Sequence, residues 1–145
     1  VANQYGAGIC AVIPWQIGAQ QYRFPTHAIA GLFRSAFERI LAVKPSVHID
    51  APEVVEVSAF TQADGKSILV GLVNLSGQNG RMAHAPLPVE KIRIGFPISG
   101  ESVQAHSLVL GPLDWEKGAD GMGWVTLPRL DLCDMLKLRN YTDRG

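Results

Sequence analysis

Apolar residues change their spacing once along this chain, close to Pro45. Before that point Ile29, Leu32, Phe33, Ala36, Phe37, Ile40 and Leu41 recur at the interval of one helical face, while Arg34, Glu38 and Arg39 lie off it. The spacing predicts an amphipathic helix from Thr26 to Val43. Thr26 is suited to the N-cap, and Lys44-Pro45 stops the helix, because a residue before proline is pushed out of the α region. Phe33 and Phe37 share the apolar face, so both are expected to be buried against a sheet. Upstream, Gly8-Ile9-Cys10-Ala11-Val12-Ile13-Pro14-Trp15 reads as a short buried strand, followed by a polar, turn-rich stretch.

Beyond Pro45 the helical period is lost. Val47 to Asp50 is a short strand candidate, and Val54 to Thr61 is rich in β-branched residues. Asp64-Gly65 is a hairpin signal, after which Ser67 to Leu75 returns as a nearly continuous apolar strand suited to a sheet centre. Lys91 to Phe96 alternates with Ile92, Ile94 and Phe96 inward. Ser102 to Leu110 and Trp124 to Leu127 are further strand candidates. Leu130 to Leu138 alternates too, but Asp134 interrupts it, which leaves helix open there. Strands separated by turn signals without intervening helices predict an antiparallel sandwich. The fold class expected is α+β, mainly β. An antiparallel β-sandwich over 46–145 is preceded by one strand–helix unit over 1–45, the remnant of an α/β domain. The chain opens on Val1 without an initiator methionine, which suggests the C-terminal piece of something larger.

Composition narrows the function classes. Apolar residues make up 47% and charged residues 18%, a balance that supports a folded core. Thirteen basic and thirteen acidic residues cancel, so neither nucleic acid nor an anionic membrane is indicated as a partner. No apolar run reaches the roughly 18 residues of a membrane span, and the first residues lack a signal-peptide pattern, which favours a soluble, cytoplasmic setting. Cys10 and Cys133 sit in apolar patterns and read as small buried hydrophobes, with a disulfide between them as the alternative.

The N-terminal segment Gly8 to Gly18, with Tyr22 and then His27 opening a helix, resembles the last strand and helix of the flavodoxin-like trimerisation domain of family-42-type β-galactosidases and related glycoside hydrolases. Gly65 to Ser76, Pro86 to Ile94, Gly123 to Pro128 and Leu130-Asp131-Leu132 are similar to the small β-sandwich that ends such enzymes. Gln16 stands where an acidic residue is common in that family. The resemblance implies that the Gly8 strand belongs to a parallel sheet and that the catalytic barrel lies outside this chain. No catalytic residue of the family has a position here.

The residues themselves offer no paired-acid motif, no nucleophile turn and no zinc spacing, so the expected catalytic and metal sites are none, and no cofactor is implied. Trp115, between Asp114 and Glu116, is the candidate carbohydrate-binding group: an indole can cover a pyranose face while carboxylates take hydroxyls. The plainer reading is that Trp115 caps the sandwich core. Asn74-Leu75-Ser76 and Asn140-Tyr141-Thr142 match glycosylation acceptors, but Asn74 ends a strand and is expected to serve a turn. The function expected is a non-catalytic structural or oligomerisation module of a glycoside-hydrolase-like protein. Its expected partners are a catalytic domain outside this chain and a second copy through the N-terminal strand and helix. The alternatives are a carbohydrate-binding module and a small independent enzyme.

Overall fold

The computed structural model describes residues 2–23, 26–41, 45, 47–63, 65–79, 82–98 and 102–141. The chain divides into two compact units, Val1–Pro45 and Ser46–Gly145.

In the N-terminal unit, β1 (Ala2–Tyr5) and β2 (Gly8–Ala11) form an antiparallel hairpin in which Tyr5 faces Gly8. Gly6 turns the chain at φ +58°, a left-handed conformation that glycine adopts without strain. The expected buried parallel strand is therefore corrected: β2 finds its partner in the residues just before it. It stays open, with Ile9 49% exposed and Val12, just beyond its end, 58% exposed. The stretch read as turn-rich contains α1 (Ile17–Arg23), anchored by the buried Ile17 and opened by the Gln20 amide donating to the Gln16 carbonyl at 2.9 Å.

The amphipathic helix forms as α2 (His27–Ser35) and continues through a π-helical turn, Ala36–Ile40. The Ile29 amide donates to Thr26 Oγ1 at 3.3 Å, the cap the sequence predicts. Its expected last residues, 42 and 43, lie outside the described residues. Phe33 and Phe37 stack on each other at 5.9 Å, but Phe37 is 45% exposed, against the expectation that both are buried. The physical reason is a missing receiver: the sheet described in this unit is the two-stranded hairpin alone.

The second unit is the predicted sandwich. A five-stranded sheet runs β10-β9-β13-β5-β4, and a four-stranded sheet runs β11-β12-β8-β3, with antiparallel pairing throughout. In chain order these are β3 (His48–Asp50), β4 (Val55–Thr61), β5 (Ser67–Asn74), β8 (Val89–Pro97), β9 (Ser102–Ser107), β10 (Gly111–Leu113), β11 (Trp115–Lys117), β12 (Met122–Leu130) and β13 (Cys133–Tyr141). The short ladder β6 (Gln78–Asn79) and β7 (Met82–Ala83) stands apart from both sheets. The β4–β5 hairpin closes where the sequence signals it, with Gly65 at φ +64°. Val70 and Leu72 from β5, Ile92, Ile94 and Phe96 from β8, Val125 and Leu127 from β12, and Leu136 and Leu138 from β13 fill the space between the sheets.

Two buried polar groups shape the sandwich ends. Asn74 gives its side-chain amide to the carbonyls of Leu87 (2.7 Å) and Asp131 (2.8 Å), and its Oδ1 accepts from the Ser76 amide at 3.1 Å. The turn role expected of Asn74 is therefore met. The segment from Leu130 to Leu138 resolves as the end of β12, a bend and β13. Asp134 is not a break in the alternation, because it lies inward in phase with Leu136 and Leu138. Its carboxylate accepts from Ser107 Oγ at 2.5 Å and from the amides of Val109 and Met135. Ser107 Oγ in turn accepts from the amides of Val109 and Leu110. These bonds capture the amides a strand would need, so β9 ends at Ser107 and not at Leu110.

Both cysteines depart from expectation: Cys10 and Cys133 are free and exposed. Parity explains Cys133, because Asp134 points inward and its neighbour must point out. Cys10 lies on a hairpin whose described residues are mostly exposed. No helix among the described residues is long and apolar enough to cross a membrane.

Candidate functional site

The four-stranded sheet turns a polar and aromatic face away from the core. Period-two geometry puts Val125 and Leu127 of β12 inward, so Trp124 and Thr126 face outward. Across the ladders Glu116 of β11 faces Trp124, Trp124 faces Gly95 of β8, and Gly95 faces His48 of β3. The indole lies where a side chain on Gly95 or Gly118 would collide with it: a Cβ on either would come within 2.7–2.9 Å of ring atoms. Glycine at those positions makes room for the tryptophan. Its Nε1 donates to Asp120 Oδ1 at 3.4 Å, and the Arg93 guanidinium stands 4.9 Å from the ring centroid. Arg93 is held by Glu116 through an ion pair of 2.9 Å.

Pairing between β11 and β12 stops at Trp115 opposite Val125. Beyond it the chain passes from β10 in the other sheet, through Asp114, to β11. A groove of about 490 Å³ opens at this divergence, lined by Asp114, Trp115, Glu116, Trp124, Thr126, Pro128 and the end of β10. All three residues singled out in the sequence border it, in different settings. Trp115 is half-buried and packs on the core, the capping position anticipated for it. Asp114 is exposed, and Glu116 is exposed and engaged with Arg93. Trp124 and Thr126 were missed by sequence reasoning. The signal was present, since Trp124 sits between glycine and valine and is out of phase with Val125 and Leu127.

The N-terminal unit carries a second, different concavity of about 380 Å³, lined by Val12, Pro14, Trp15, Leu32, Ala36 and Ile40 among others. It is almost wholly apolar and has Arg39 at its border. Trp15 is 65% exposed beside it. Among the described residues, no group of three or more His, Cys, Asp or Glu side chains is placed to hold a metal ion.

No protein-family model and no curated protein matches the chain. Among solved structures, α-L-fucosidase isoenzyme 2 from Paenibacillus thiaminolyticus is similar at a TM-score of 0.70 and 14% identity, over 93% of this chain and 21% of that one. A cycloisomaltooligosaccharide glucanotransferase from Paenibacillus sp. gives a TM-score of 0.46 at 18% identity, over 72% of this chain and 19% of that one. Neither bears the name of a family-42 β-galactosidase. The likeness to the fucosidase is one of fold, and the chain spans about a fifth of that protein's length.

Proposed function

We propose that this chain is a non-catalytic, C-terminal structural module of a glycoside-hydrolase-like protein, with a sandwich that stabilises a catalytic domain and an N-terminal unit that docks onto it. The observation that carries the reading is the N-terminal unit itself. Among its described residues Ile17 and Ala36 are the buried hydrophobics, whereas Val12, Trp15, Leu32, Phe37 and Ile40 are all at least 39% exposed. A unit of this size whose described residues bury so few apolar side chains is held by what it packs against, and an apolar concavity marks an interaction surface. The fold shared with part of an α-L-fucosidase supports a glycoside-hydrolase setting and does not single out family 42. A second copy of the chain is the other occupant the surface would accept.

The test is to express the reading frame that contains this chain, whole and with these residues removed. Glycosidase activity should reside in the remainder, and the truncated protein should melt at a lower temperature. A reading frame with no further domain, or a truncation that leaves the melting temperature unchanged, would overturn the proposal. The isolated chain should not turn over aryl glycosides; turnover lost on mutating one carboxylate would do the same.

A further inference from the structure

We infer that the groove where β11 leaves β12 is a binding site for a neutral oligosaccharide. This is independent of the structural role, since a module can stabilise its parent with or without a ligand. Three observations lead to it. The groove lies in the size range of small-ligand sites, about 300–1,000 Å³. Its lining brings Trp115 and Trp124 together with Thr126, Asp114 and Glu116. That combination suits a pyranose, which presents an apolar C–H face to an aromatic surface and hydroxyls at its rim.

The third observation is preorganisation. Trp124 rests over Gly95 and Gly118, bonds to Asp120 and carries Arg93 against its ring, while Glu116 fixes that guanidinium. Trp115 is held by the core. A ligand therefore meets surfaces already ordered, which lowers the entropy lost on binding. Charge selects the class. Asp114 and Glu116 contribute two negative charges at the groove and Arg93 one positive charge, so the site repels uronates and sulfated sugars and accepts uncharged ones. An extended peptide is the poorer fit, because Pro128 lacks the amide that strand pairing along β12 would use.

Titration of the ¹⁵N-labelled chain with maltohexaose, cellohexaose, xylohexaose and galactotetraose tests the inference, with polygalacturonate as the acidic control. At least one neutral oligosaccharide should give saturable shifts at the Trp124 indole and the Thr126 amide by about 10 mM, where a millimolar site is nearly filled. Asp114→Ala, at an exposed position, should weaken that binding about fivefold while leaving the rest of the spectrum in place. Trp124→Ala should weaken it about tenfold. Because that variant also uncovers two glycines, Trp124→Phe serves as a folded control with intermediate affinity. Absence of saturable shifts with all four oligosaccharides would overturn the inference. So would shifts from polygalacturonate or an extended peptide alone, or binding indifferent to the Asp114 and Trp124 variants.

Discussion

Asn74 and Asp134 each place a polar side chain where the sandwich excludes water, and each is satisfied several times over. Asn74 is 3% exposed and bridges three chain segments, from Ser76 to Leu87 to Asp131. Asn74→Ala takes this partner from the Asp131 carbonyl and the Ser76 amide, leaves the Leu87 carbonyl with Ser76 Oγ at 3.2 Å, and should cost about 2–4 kcal/mol in urea unfolding. Asn74→Asp should cost at least as much, because a carboxylate oxygen would face those carbonyls. The same contacts argue against glycosylation at this position, since an attached sugar would consume the amide that they use. Asp134→Ala should also cost about 2–4 kcal/mol, and it should raise amide exchange at Val109 and Leu110, which its network pins. A loss below about 0.5 kcal/mol in either case would mean that water replaces the side chain. The sequence shows only part of these roles. Asn74 shows as a strand-ending turn residue, but Asp134 looks like an interruption until its partner Ser107, far away in sequence, is seen beside it.

At the scale of elements, what could be read depended on whether local patterning and tertiary surroundings agree. The β8 alternation and the hairpin signal at Gly65 are self-contained, and the structure follows both, although Asp64 lies outside the described residues. The segment Leu108-Val109-Leu110 is apolar and β-prone, yet it forms an exposed turn, because Ser107 and Asp134 take the amides of Val109 and Leu110. The α2 face was legible as apolar, whereas its cover was not, since periodicity reports that a face needs a partner without saying which residues supply it. Phe37→Ala in the isolated chain should therefore cost only about 1 kcal/mol, far below the 3–5 kcal/mol of an emptied core aromatic site. Leu136→Ala, at a fully buried position in β13, should cost about 2–5 kcal/mol under the same conditions. Comparable losses for the two variants would show that the helix face is covered in solution. The β8–β12 ladder holds one local conflict: its register skips Lys91 and Pro128, and Lys91 sits at φ +57°. Lys91→Val should destabilise by about 1–2 kcal/mol, because a β-branched residue fits that conformation poorly, and Lys91→Gly should be neutral or slightly stabilising. Equal stability of both variants would show that the backbone relaxes there.

For the whole molecule the decisive feature is how unevenly apolar surface is distributed. The interior of the sandwich is closed, and the outer face of its four-stranded sheet is polar around Trp124. The outer face of the five-stranded sheet is different: Phe60, Val73 and Met135 are all at least 40% exposed, with Cys133 beside Val73 across the ladder. The N-terminal unit is more open still. If these surfaces serve to dock a catalytic domain, then the isolated chain, lacking that partner, should associate with itself through the most concave of them. Sedimentation equilibrium over a wide concentration range should show reversible association. Trp15→Ser and Leu32→Ser, both at the border of the N-terminal concavity, should shift it toward monomer without lowering the stability of the sandwich. The free thiol of Cys10, on the exposed hairpin, gives a second readout. Its alkylation should slow as association increases if the hairpin joins the contact, while Cys133 should slow only if the sandwich face joins too. A chain that stays monomeric at every concentration, with Cys10 reacting at an unchanged rate, would show that this apolar surface does not drive self-association, and would leave the docked domain as its occupant.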